Sequence, residues 1–257
     1  GACYDRKAGI LYLTTDRGPG DGVIDFSPRL YAVPIPTSDA QPSVGPRSLT
    51  SGASAKEVVG AVDAEDKNQG TPEPSRSEAQ PLRAGAGVNL KLAEPGTARL
   101  YKDNDGKPFT GLMPDSPDPE PRMKDGRRCL DPEGLALMKD GNLFVCEEYY
   151  PSILQFKPDG TLLSRFVPPD NYLPRNASGE VDFRQLENRA EGREDNRGFE
   201  GVALSPDGKT VYALLQSGLV QDGGKEAGAT RLLAFDALTG APNAEYAIRL
   251  PDPAALE

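Results

Sequence analysis

Two stretches of this chain repeat one another. PEGLALMKDGNLFVCEEY, from Pro132, and FEGVALSPDGKTVYALLQS, from Phe199, each read as an acid, a glycine, an apolar run, an Asp-Gly turn and a second apolar run. Internal repetition constrains a fold more than any single motif, because units that repeat must stack to bury their apolar faces. The match continues downstream: SILQFKPDG (152–160) parallels RLLAFDALTG (231–240), and LLSRFVPP (162–169) parallels EYAIRLPDP (245–253). Runs of this length between Gly and Pro punctuation read as strands, so each unit holds four successive strands, the content of one propeller blade. The expected fold class is all-β, a β-propeller of four-stranded blades. An open β sandwich would leave the repeat unexplained.

A third, partial unit lies at the start. ILYLTTDRG (10–18) aligns with the second strand of the repeat, RLYAVPIP (29–36) with the third, and VNLKLAEP (88–95) is a candidate fourth; the first is missing or reduced to the residues around Cys3. The expected layout is a partial first blade (1–36), a flexible polar insert rich in Pro, Ser and Gly (37–86), and the last strand of the first blade with a connecting loop (87–128). A second blade with a long loop (129–198) and a third blade (199–257) follow. The repeat spacing exceeds the usual ~40–50 residues of a blade, and the polar loop 170–198 accounts for the excess. About three blades is fewer than the roughly four to eight that close a propeller. A second chain or a missing segment is therefore expected to complete the ring.

Superposing the units brings acids into register. Glu133 coincides with Glu200 at the start of a first strand; Glu148 coincides with Gln216 and Asp16 at the end of a second. In an antiparallel hairpin those two places are neighbours, so the side chains are expected around one mouth of the channel. Asp131 and Glu147 stand beside them in sequence. Grouped carboxylates raise one another's pKa unless a cation sits among them. The chain has no histidine, which excludes a Ser-His-Asp triad and a His-rich zinc site. Oxygen ligands alone favour a hard ion, calcium before magnesium. The plainer reading is that these acids are solvated strand ends. Arg29 and Arg231 each begin a third strand and Arg17 follows Asp16; arginine suits phosphate or carboxylate, and equally suits pairing with the nearby acids.

The net charge of −10 argues against a nucleic-acid partner. No apolar run approaches membrane-spanning length, and the chain opens at Gly1 rather than Met, so a targeting segment is expected to have been removed. Three cysteines, Cys3, Cys129 and Cys146, allow one disulfide, Cys129 with Cys146, or act as small buried hydrophobes. KDNDGKPF (102–109) resembles part of a calcium loop without the later ligands and reads as a turn. Asn176-Ala-Ser is a glycosylation sequon in a predicted exposed loop.

The blocks LYLTTDRGPG, DNDGKPFTGL, DPEGLALMKDGNLFVCEEYYPSILQF, GFEGVALSPDGKTVYALLQ and TRLLAFD resemble the phytase-like family, also described by an esterase-like activity of phytase. The resemblance implies a β-propeller, usually extracytoplasmic (secreted, periplasmic or in an organelle lumen), related to calcium-dependent phosphate-ester hydrolases. It carries over Asp16 and Arg17 from the DRG block, Asp131 and Glu133 from DPEG, Glu147 and Glu148 from EEY, and Glu200 from FEG. Family members continue past YAIRLP into further blades.

Two functions fit. In the first, calcium held by Asp16, Asp131, Glu133, Glu148 and Glu200 activates water against a phosphate ester or other anionic substrate. Arg17, with Arg29 or Arg231, stabilises charge and Glu147 orients the water. In the second, the chain is a non-catalytic, calcium-stabilised docking module in an extracytoplasmic or lumenal assembly.

Overall fold

The computed structural model describes residues 1–35, 96–118 and 126–251. Twelve strands run through them in chain order. β1 (Ala2–Asp5), β2 (Ile10–Thr14), β3 (Arg29–Pro34) and β4 (Thr97–Leu100) form one sheet. β5 (Pro132–Leu137), β6 (Leu143–Glu147), β7 (Ser152–Phe156) and β8 (Leu162–Phe166) form the second. β9 (Phe199–Leu204), β10 (Thr210–Leu215), β11 (Ala229–Asp236) and β12 (Pro242–Arg249) form the third. Every pairing is antiparallel and joins consecutive strands. The first strands neighbour one another, β1 beside β5 and β5 beside β9. This is the arrangement of propeller-like blades, with first strands inward.

The hairpin turns follow from Asp-Gly chemistry. Asp140, Asp159 and Asp207 each accept, through Oδ1, the backbone N–H two residues on, from Asn142, Thr161 and Lys209, at 3.0 Å. The glycine after each aspartate has positive φ, 89°, 87° and 78°, a region open to Gly at no steric cost. Asp103 does the same in the KDNDG segment, taking the N–H groups of Asp105 and Lys107.

The second sheet is packed on both faces, and β6 shows why its sequence is continuously apolar. Leu143 and Val145 turn toward the first sheet, with Tyr12, Leu30, Tyr101, Phe109 and Phe156. Phe144 and Cys146 turn toward the third, with Phe166, Tyr172, Phe199, Val211 and Phe235. Each fully buried aromatic contributes about 1.5–3 kcal/mol. These two layers fix the blades side by side, which places their first strands at one end.

Some expectations change. The first sheet, read as partial, has four strands: the residues around Cys3 supply β1, and β4 is Thr97–Leu100. VNLKLAEP and the 37–86 insert lie outside the described residues. No disulfide joins Cys129 to Cys146; all three cysteines are thiols. Cys146 is instead packed in the core, its Sγ accepting the N–H of Gly134 at 2.9 Å.

Candidate metal centre

The centre is built on two β-bulges. In the second sheet Pro132 pairs with Glu147 and Leu135 with Val145, so Glu133 and Gly134 together oppose Cys146. In the third, Phe199 pairs with Leu215 and Gly201 with Leu214, which leaves Glu200 without a partner across the ladder. The extra residue falls at the same point of the repeat in both. A bulge bends its strand and re-aims a side chain, and here the re-aimed residue is a glutamate each time. Gly134 lets the blades close: a Cβ there would lie 2.8 Å from Val202 N and 3.1 Å from Glu200 O.

Asp131, just before β5, and Glu148, just after β6, complete the group. Carboxylate oxygens of Asp131, Glu133 and Glu148 lie within 4.8 Å of one another. Asp131 and Glu148 are buried, with 1% and 2% of their surface exposed. Asp131 Oδ1 accepts the backbone N–H of Arg17 at 2.8 Å, and Asp131 Oδ2 stands 3.1 Å from Arg17 Nη1. Glu148 Oε2 is 3.7 Å from the same nitrogen. Glu148 Oε1 is buried and accepts no hydrogen bond, and Asp131 Oδ2 accepts none of good geometry. A buried carboxylate oxygen without a donor costs free energy, and a cation would remove that cost.

The protons respond accordingly. Burial, then the charges of Asp131 and Glu200, pushes Glu133 up to about 8. Burial, then a hydrogen bond donated to Asp131 and the charge of that group, pushes Glu148 up to about 9. Burial also raises Asp131, against the hydrogen bond from Glu148 and the charge of Arg17. Burial and the charge of Asp131 raise Glu200. Asp16 is exposed, accepts the N–H of Gly18 at 2.8 Å, and lies close enough for its charge to act on Asp131 and Glu133. The structure thus groups Asp131, Glu133 and Glu148, with Asp16 and Glu200 near enough for their charges to act on them.

The three groups expected to assist them are placed differently. Glu147 turns into the protein, where its carboxylate accepts the backbone N–H groups of Asp131, Tyr149 and Tyr150. It follows the strand alternation that sends Glu148 the other way, so its carboxylate is engaged in shaping the turn rather than facing the centre. Arg231 pairs with Asp222 and Glu245 beside a cavity of about 520 Å³, with none of the five acids among those partners. Arg17 does join the acids, but its side chain is only 10% exposed. It is held by Asp21, Asn196, Asp131 and Glu148, with the ring of Tyr149 5.8 Å away. Sequence reading missed Asp21 and Asn196. Their signal is modest: Asp before Gly22 and Asn in REDNRG, residue types that tolerate positive φ.

An all-β chain of four-stranded blades with a buried carboxylate cluster beside its inner strands defines a propeller-like protein with a candidate cation site. The family model described as phytase-like, with esterase-like activity of phytase, matches residues 1–257, and the chain belongs to that family. An "Uncharacterized secreted protein" of Arthroderma benhamiae is 37% identical over 158 residues, covering 49% of this chain and 31% of that protein. The chain therefore spans under a third of that relative's length. Among solved structures, a hydrazine synthase of Kuenenia stuttgartiensis is 18% identical at a TM-score of 0.23, covering 48% of this chain and 39% of that one. A candidate 6-phosphogluconolactonase of Bacteroides uniformis is 13% identical at a TM-score of 0.30, covering 99% and 57%.

Proposed function

We propose that the carboxylate centre binds calcium and that the protein hydrolyses a phosphate ester there, outside the cytosol. One observation carries the reading: oxygens of three carboxylates lie within 4.8 Å of one another, Glu148 Oε1 is buried with no hydrogen-bond partner, and Asp131 Oδ2 faces the Arg17 guanidinium at 3.1 Å without a hydrogen bond of good geometry. Calcium takes oxygen ligands at about 2.3–2.6 Å, so its ligands span up to about 5 Å, and oxygens lying within 4.8 Å of one another fit inside that span. Asp131, Glu133 and Glu148 would hold the ion, with Asp16 and Glu200 flanking it. When bound, calcium supplies charge against phosphate oxygens and makes nearby water easier to deprotonate. Glu200, half-buried at the edge of the group, accepts the water's proton. The secreted relative and the family match support both the location and the reaction class.

A second reading, a calcium-stabilised docking module, draws on Arg17 and Glu147 being already committed within the protein. Turnover of p-nitrophenyl phosphate in calcium and in chelator, for wild type and for Glu133→Gln with Glu200→Gln, separates the two. The expected result is a calcium-dependent rate lost in the double variant. A calcium-dependent rate that survives both changes overturns the site. Calcium binding without turnover favours docking.

A further inference from the structure

Two loops from different sheets converge on the Arg17 guanidinium. Asp21, between β2 and β3, accepts from Nη2; Asn196, between β8 and β9, accepts from Nη1. Among the described residues these two are the only non-glycine residues with positive φ, 56° and 55°. Such conformations persist where the surroundings over-determine them, and they gather at functional sites. Glycines clear the approach: a Cβ at Gly22 would lie 3.2 Å from Arg17 Cδ, and one at Gly111 would lie 1.9 Å from the Arg17 carbonyl oxygen. The guanidinium is thus fixed against Asp131 and Glu148, two of the three acids of the centre.

We propose that Asp21 and Asn196 are positioning residues that hold Arg17 as the resident counter-ion of the carboxylate centre. Arg17 lowers the cation charge the centre takes up and keeps the acids together when no ion is bound. The calcium part of this inference rests on the cation-site reading above; the counter-ion role itself does not. Arg17 competes with an incoming ion for Asp131 Oδ2 and Glu148 Oε2, leaving Glu148 Oε1 and Glu133 as the oxygens open to it. A counter-ion and a scaffold residue predict opposite signs on removal. Losing a counter-ion leaves more negative charge for calcium and tightens binding; losing a scaffold weakens it.

The test is calorimetric titration of calcium into wild type, Arg17→Gln, Arg17→Lys and Asn196→Gly. A charge interaction at this range and partial burial is worth at least about tenfold in affinity. Arg17→Gln is expected to bind calcium about tenfold more tightly. Asn196→Gly, which keeps the left-handed backbone, is expected to shift the same way by less, and Arg17→Lys, which keeps the charge, to stay near wild type. A parallel series of melts in chelator covers the ion-free protein. There, Arg17→Gln should melt well below Arg17→Lys, since removing the charge leaves buried carboxylates without their counter-ion. Weaker calcium binding by Arg17→Gln overturns the proposal, as does equal melting of the two variants. Absence of calcium binding in wild type sinks the cation-site reading, while the melts in chelator still decide the role of Arg17. Should Arg17→Gln not fold, Asn196→Gly and Arg17→Lys carry the same comparison.

Discussion

Gly134 and Gly201 occupy the same place in the repeat, and alanine should affect them in opposite directions. A Cβ on Gly134 would stand 2.8 Å from Val202 N, 3.0 Å from Cys146 Sγ and 3.1 Å from Glu200 O. Two of those atoms are backbone of β9 and cannot rotate away, so β5 and β9 must separate by roughly 0.5 Å to restore ordinary contact distances. Overpacking of this kind costs about 1–3 kcal/mol. A Cβ on Gly201 meets only Leu214 Cβ at 3.6 Å, an ordinary contact. There the lost freedom of the unfolded chain should stabilise the protein by about 0.4–1 kcal/mol. That same gain offsets part of the Gly134 penalty, so the two variants should differ by about 1–3 kcal/mol. At roughly 2–4 °C per kcal/mol for a domain of this size, a difference near 2 kcal/mol opens a gap of about 4–8 °C. Thermal melts and urea unfolding of Gly134→Ala and Gly201→Ala, run in chelator so that cation binding does not contribute, read it directly. Equal shifts for the two would refute the inter-blade packing described for Gly134.

Three further outcomes are expected. Glu147→Ala removes the acceptor for three buried backbone N–H groups and should cost about 2–4 kcal/mol, measured by urea unfolding; a change under about 0.5 kcal/mol would contradict its inward role. Glu133 and Glu148 titrate near 8 and 9 in the folded chain and near 4.3 when unfolded. The folded state therefore holds more protons between those limits, and stability falls as pH rises from about 5 to 9. In chelator the melting temperature should drop across that range and calcium should flatten the drop; a rise with pH would contradict the cluster. Arg231→Ala breaks pairs with Asp222 and Glu245, so calcium titration should show affinity unchanged, and a large loss would return Arg231 to the centre.

The blades were legible because their signals are local. Four apolar runs per unit, Asp-Gly turns and matched spacing lie within one stretch of chain, and strand alternation turns them into two packed faces. The recurrence of Glu133 and Glu200 was legible for the same reason. The bulges beneath them were not, since one additional residue in a ladder shows only when both strands are paired. Glu147 and Glu148 are adjacent and chemically alike; which faces inward depends on a register that begins at Pro132. Arg17 was found from the DRG block, but its partners come from Asp131 and Asn196, brought near only by stacking of the blades. The repeat position of Arg231 matches that of Arg29, but the carboxylates it pairs with, Asp222 and Glu245, belong to the third blade alone, and a sequence repeat does not display them.

Pairing only between consecutive strands has a kinetic side. Each sheet can form from contacts between chain neighbours, the kind that close quickly during folding. The carboxylate centre is different: the Arg17–Asp131 pair and the Gly134–Glu200 approach both cross from one sheet to another. Asp131, Glu133 and Glu148 sit on the one β5–β6 hairpin, but Arg17 and Glu200 join them only after separately formed sheets have docked. An ion captured there would bind late, act mainly on the rate of unfolding, and work as a latch on an assembly already made.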